Sequence, residues 1–314
     1  MILGSGDPSP DPTRQGPAVA VVVDDSVYLV DAGVGLVRRA SEAAMERRIS
    51  ALAAPRLNKV FITHLHSDHT LGLADLMFTP WLMGRTGGLR AWGPAGLQAM
   101  GSHLAEAWSE DLAMRAAWEK SENPDGYQLV GCEIPRDADS RVVYTDDLVT
   151  VTAFAVSHGD WNQELNPPVD TAGNRAFGYR FDTPDASVVI SGDTKPDPET
   201  FRRFCNGCDI LLHEVYSIRE RAVLTDSARR VYDRQFHTPS LALAEAVAPA
   251  ARPRLLVLYH ASHFPGVTNE ELLQEVAEHY PGRVCFGHDL DVFSRGGASQ
   301  CEPADADAGM AASQ

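Results

Sequence analysis

Residues 59–70 read KVFITHLHSDHT, so an apolar, strand-like run empties directly into His64, His66, Asp68 and His69. Residues two apart in an extended segment share a face, so His64 and His66 point the same way. Asp68 and His69 follow where the chain must turn into the segment 72–76. Two imidazoles can therefore hold one cation while the carboxylate and the third imidazole reach a second. Nitrogen and carboxylate oxygen donors suit zinc, and manganese, iron or cobalt accept the same set. A lone histidine behind a strand is usually a packed residue or a helix cap; four metal-binding side chains at this spacing point to a metal site.

The H-x-H-x-D-H pattern resembles the signature of the metallo-β-lactamase superfamily, and the other ligands that this resemblance implies have counterparts here. His158 follows the strand-like run 149–156, Asp193 ends the run 187–193, and His260 ends the run 254–260. Each stands at the C-terminal end of an apolar run, where open sheets place their ligands. The resemblance implies that His64, His66 and His158 hold one ion, that Asp68, His69 and His260 hold a second, and that Asp193 bridges them. It also implies an α/β fold, an αββα sandwich of two mixed β-sheets with helices on both outer faces.

Two further segments are similar to the branch of that superfamily containing ribonuclease Z, arylsulfatase-like enzymes and phosphodiesterases. These are Leu211-Leu212-His213-Glu214 and Phe236-His237-Thr238-Pro239-Ser240, with Gly178-Tyr179-Arg180 as a third, weaker match. The resemblance implies that Glu214 and His237 transfer a proton near the leaving group. The alternative is that His237 merely enters a helix beside a capping Thr238 or Ser240, with Pro239 at the first helical position. Two Zn2+ ions would bring the pKa of a shared water toward ~7, so the implied activity is hydrolytic, with Asp68 orienting the resulting hydroxide.

At 314 residues and 44% hydrophobic content the chain can bury a sizeable core. The alternating strand and helix signals predict one domain over 1–295, with a helical insertion at about 80–135 and a disordered Ala-, Gly- and Asp-rich tail over 296–314. Strands are expected at 18–23 and 26–31, a helix within 33–54, and one or two helices over 95–119. The Pro-rich segment 7–17 is expected as an ordered loop near the metals or their rim. No run reaches the roughly eighteen apolar residues of a membrane span, and no basic, then apolar leader opens the chain, so a cytoplasmic protein without membrane contact is expected. The five scattered cysteines argue against a disulfide framework, and Cys205-x-x-Cys208 reads as an incidental pair.

Substrate expectations rest on charge. The chain has 27 basic and 43 acidic side chains, a net charge of −16, the wrong sign for a polyanion whose binding draws on counterion release. Ribonuclease Z grips transfer RNA with a basic arm between the positions matching His158 and Asp193; here these lie only 35 positions apart, and Asp160, Glu164, Asp170 and Asp182 outnumber Arg175 and Arg180. The expected partner is therefore a small-molecule ester, phosphodiester first, then sulfate ester, lactone or carboxylic ester, and nucleic acid is not expected. The alternatives are a ribonuclease Z-like RNA endonuclease and a metal-free binding module of the same fold. A homo-oligomer is compatible with the sequence, which does not decide the point.

Overall fold

Alternating β-branched and aromatic residues build the two sheets seen in the computed structural model, which describes residues 1–118, 123–135, 137–158, 176–219, 235–262 and 267–295. The first sheet runs in sequence order through β1 (Ile2–Gly4), β2 (Ala18–Val23), β3 (Ser26–Val30), β4 (Lys59–Phe61), β5 (Leu89–Gly93) and β6 (Leu129–Glu133). The second comprises β7 (Ser140–Thr145), β8 (Thr150–Val156), β9 (Ala176–Asp182), β10 (Ser187–Ile190), β11 (Ile210–Tyr216), β12 (Leu255–Ser262) and β13 (Val284–Phe286), in the spatial order β13 to β7. Both sheets are mixed. The first is antiparallel through β3 and parallel from β3 to β6; the second is antiparallel from β7 to β10 and parallel from β10 to β13.

The period of two along each strand separates three apolar layers. Tyr28, Phe61 and Trp92 from the first sheet meet Phe177, Tyr179, Phe181, Leu212 and Val257 from the second, forming the core between the sheets. Their alternating neighbours Leu29, Val60 and Ala91 face outward beneath α1 (Leu36–Glu46), α3 (Leu73–Leu82) and α4 (Leu97–Ala107). The short α2 (Ser67–Thr70) lies between the strand β4 and α3. On the far side Leu211, Val215, Leu256 and Leu258 lie beneath α6 (Pro198–Phe204), the helical run α7 (240–251) and α8 (Asn269–Ala277). The architecture is the αββα sandwich.

Residues 80–135 contribute β5 and β6 to the first sheet, as well as α4 and α5 (Ser109–Trp118). Along those helices Leu112 is buried, and Met100 and Leu104 pack on the outer core, whereas Trp108 and Met114 face solvent. The tail expected at 296–314 and His263 lie outside the described residues. No helix among the described residues is long and apolar enough to cross a membrane.

One expectation is corrected. Cys205 and Cys208 form a disulfide. α6 ends at Phe204, and Asn206 and Gly207 take positive φ values of 43° and 82°, so the chain doubles back and brings the two Cα atoms to 4.8 Å. A helix end followed by left-handed residues creates this proximity without the thioredoxin-like context by which such a spacing is usually recognised.

Candidate metal centre

The loops after β4, β8 and β10 and the ends of β11 and β12 converge on one edge of the sandwich. Past Phe61 the chain is held by both sheets: the Ile62 amide donates to the Trp92 carbonyl (2.7 Å) and the Thr63 carbonyl accepts from the Phe177 amide (2.9 Å). His64 follows, His66 keeps extended backbone, and Asp68 and His69 lie in the first turn of α2. Asp193 is presented by a left-handed turn at Gly192 (φ 60°), where a Cβ would stand 2.9 Å from the Phe177 carbonyl oxygen, so glycine is required.

His260 reaches the site through a β-bulge. Tyr259 pairs with Glu214 and Ala261 with Val215, leaving His260 as the extra residue, with φ 45°. Leu256 and Leu258 face the outer layer, so strict alternation would send His260 outward as well. The bulge turns it inward to Asp68, His69 and Asp193, with a left-handed non-glycine residue costing ~1–3 kcal/mol.

The carboxylate of Asp193 faces two groups at once. Its Oδ1 lies 3.4 Å from Nε2 of His69 and 3.3 Å from Nε2 of His260, while Oδ2 lies 3.8 Å from Nε2 of His64 and of His158. His64, His66, His158 and Asp193 present ligand atoms within 4.8 Å of one another, and so do Asp68, His69 and His260. All seven predicted ligand residues are thus brought together, in the two predicted groups.

The outward-facing ring nitrogens explain why the inner ones are lone pairs. Nδ1 of His69 lies 2.9 Å from Asp31 Oδ2, Nδ1 of His158 lies 2.8 Å from the Phe236 carbonyl oxygen, and Nδ1 of His64 lies 3.0 Å from Thr63 Oγ1. Protons on these Nδ1 atoms leave Nε2 as an electron-pair donor on each ring. Yet Nε2 of His69 and Nε2 of His260 are 2.9 Å apart, and Nε2 of His64 and Oδ1 of Asp193 are buried without a hydrogen bond. Converging lone pairs of this kind fit a cation, and the donor chemistry of each group suits a divalent one.

Burial pushes the His158 imidazole down to about 3 and lowers His64 well below the ordinary histidine range. These rings stay neutral, as ligation requires. In the second group burial opposes charge, but Asp193, Asp31 and Asp68 outweigh it and raise His69. Burial likewise opposes ionisation of Asp68, but His69 and His260 outweigh it and lower its carboxyl. That half of the site carries the excess of negative charge.

Glu214 and His237 adjoin this cluster. Glu214 Oε1 accepts from the amides of Thr194 (3.2 Å) and Thr238 (2.9 Å), while Oε2 lies 3.4 Å from Nδ1 of His237, which is itself 3.9 Å from Asp193 Oδ2. The Thr238 hydroxyl donates to the Thr194 carbonyl and the Ser240 hydroxyl to Glu275, so neither caps α7, and Pro239 precedes the first helical residue. His213 points the other way: its ring packs 4.7 Å from that of Phe201, and its Nδ1 donates to the Glu214 carbonyl.

Sequence reasoning missed Asp31 and Thr63. Asp31 also takes a left-handed φ of 62°, and Oδ1 accepts from both the amide (2.8 Å) and the hydroxyl (3.0 Å) of Thr63. An acid closing a strand beside β4 was the available signal. The Asp7–Pro10 segment, with Ser67 and Ser262, lines a cleft of about 640 Å³ that opens onto His66, Asp68, Asp193 and His237.

A model of the beta-lactamase superfamily domain matches residues 27–261. Ribonuclease Z of Mycobacterium bovis (strain BCG / Pasteur 1173P2) is 29% identical over 294 residues, covering 92% of this chain and 95% of that protein. Ribonuclease Z of Mycobacterium avium (strain 104) is 30% identical over 296 residues, with the same coverage. Among solved structures, the short form of human tRNase Z aligns over 94% of this chain and 98% of its own with TM-score 0.63 at 22% identity, a likeness of fold. The full-length ribonuclease Z relatives overturn the expectation of a small-molecule ester partner and of no nucleic acid. The physical reason is that a net charge of −16 counts every carboxylate, including Asp31, Asp68 and Asp193 buried at this site, whereas counterion release depends on the cations that meet the phosphates.

Proposed function

The chain belongs to the β-lactamase superfamily and is a hydrolase of the metallo-β-lactamase fold, and from that premise we propose that it is a dinuclear, zinc-dependent endonuclease acting on RNA, as ribonuclease Z does. The observation that carries the dinuclear reading is Asp193, whose two oxygens face two separate groups of donors. The RNA reading is supported by full-length likeness to proteins named ribonuclease Z.

In this reading His64, His66 and His158 would hold the first ion and Asp68, His69 and His260 the second, with Asp193 facing both groups. When bound, two such cations supply Lewis acidity and make hydroxide available near neutral pH. Asp68, which lines the cleft, orients the attacking water toward the phosphodiester. Two backbone amides fix Glu214 Oε1, so Oε2 holds His237 by Nδ1, and His237 delivers a proton to the departing ribose oxygen. Ser67, Ser9 and Ser262 offer hydroxyls along the cleft for sugar and phosphate oxygens.

The test is incubation of zinc-reconstituted protein with an end-labelled transfer RNA precursor and with an unstructured RNA of equal length. Metal-dependent internal cleavage, stopped by chelation and by Asp193→Ala, is expected. Because the segment between His158 and Asp193 is short and acidic and offers few cations to the phosphates, binding should be weak and should depend only shallowly on salt. Intact RNA after incubation with protein holding two metal equivalents would overturn the proposal.

A further inference from the structure

The guanidinium of Arg14 is wedged between the wall of the cleft and the strand that carries His260. Its Nη1 donates to the carbonyl of Ala261 (3.0 Å), its Nε donates to Asp11 Oδ2 (2.9 Å), and its Nη2 lies 3.7 Å from Asp7 Oδ1. The Arg14 side chain is 11% exposed and that of Asp7 is 1% exposed. Ala261 directly follows the left-handed His260, where the register of β11 and β12 breaks. Backbone in such a conformation persists where its surroundings over-determine it.

The loop that delivers Arg14 is itself fastened from behind. Asp289 accepts from the amides of Ser5 and Gln15, both at 2.9 Å, and the Gly6 amide donates to the Gln15 carbonyl at 2.8 Å. Arg14 is therefore a braced spoke between two walls, with acceptors in three directions. A planar five-donor fork meets that demand, and a lysine ammonium does not. Among the described residues, Arg14 forms no hydrogen bond or ion pair with the segments bearing His64, His66 or His158.

We infer that Arg14 is a positioning residue for the second cation: it pins the bulge at Ala261 so that His260 stays aimed at Asp68 and Asp193, and through Asp7 it couples that restraint to the cleft wall. The inference rests on the dinuclear reading and adds an asymmetry to it, since the spoke acts on one metal and not on the other. A substrate that presses on the Asp7–Pro10 wall is thereby linked to the second metal.

Zinc titration of metal-free wild type, Arg14→Met and Arg14→Lys against a chromophoric chelator, with elemental analysis of bound metal, tests it. Wild type should bind two equivalents. In Arg14→Met one of the two sites should keep its affinity within about twofold while the other loses ~10–100-fold, the range for loss of a ligand-orienting partner. Arg14→Lys should fall between, and it decides the matter should Arg14→Met fail to fold. Equal affinities in variants and wild type, or parallel loss at both sites with a lowered Tm of the metal-free protein, would overturn the inference. Wild type binding fewer than two ions would instead overturn the dinuclear reading beneath it.

Discussion

Oδ2 of Asp31 lies 2.9 Å from Nδ1 of His69, and its other oxygen accepts the Thr63 hydroxyl, which in turn lies 3.0 Å from Nδ1 of His64. One buried carboxylate thus orients a ligand in each of the two groups. Asparagine at this position keeps the shape but has one acceptor oxygen, so it cannot serve the Thr63 side and His69 together. Asp31→Asn should weaken zinc binding by ~10–100-fold in a competition titration. An unchanged affinity would show that the ligands are held by packing alone.

Asp193 and Asp68 should separate binding from chemistry. Asp193→Ala removes the group that faces both sets of donors, so metal content and turnover should collapse together. Asp68→Asn still offers an oxygen but cannot hold the negative charge or take a proton, so it should retain more metal than activity. Elemental analysis and RNA cleavage on the same preparations decide this, and wild-type turnover in either variant would contradict the dinuclear mechanism.

The first four ligand candidates were legible in the H-x-H-x-D-H pattern, and the family resemblance it carries pointed to His158, Asp193 and His260, which follow apolar runs whose ends meet at one sheet edge. What was not legible depends on single backbone torsions. Asp31 and His260 both reach the site through left-handed φ values, and alternation along β12 taken alone would have turned His260 toward the outer layer with Leu258. The disulfide of Cys205 and Cys208 likewise depends on the left-handed turn at Asn206 and Gly207. The substrate expectation failed for a different reason: summed charge discards position, and position decides whether a carboxylate meets a polyanion or a cation.

His213 should make the metal-free protein acid-sensitive. Burial pushes its imidazole down from 6.5 to about 4, with its Nε2 buried and without a hydrogen bond. Between those values the unfolded chain binds a proton that the folded one refuses. Stability is therefore full above about pH 6.5 and is lost as pH falls toward 4, by ~3 kcal/mol for a shift of this size. His64 and His158 act in the same sense, so the informative quantity is a difference between proteins. In urea unfolding at pH 7 and pH 4.5 with chelator present, His213→Leu should lose ~2–3 kcal/mol less than wild type on acidification. An identical pH dependence would mean that the imidazole is hydrated in the folded state.

His237 should reveal whether it donates a proton or only shapes the cleft. Its Nδ1 is 3.4 Å from Glu214, and the ring lines the cleft beside Asp68 and Asp193 without belonging to either group of donors. His237→Ala should therefore keep both metals. On RNA the leaving group is a ribose alkoxide, which departs poorly without a proton, and general acid catalysis of such a step is typically worth ~10²–10⁴-fold. On bis(p-nitrophenyl) phosphate, used as a probe, nitrophenolate departs unaided, and the loss should be several-fold at most. Glu214→Gln should follow the same pattern more weakly, because the amide can still hold the ring but does not stabilise its charged form. Equal losses on RNA and on the activated probe would identify His237 as a residue that positions the phosphodiester, and loss of bound metal would identify it as a ligand.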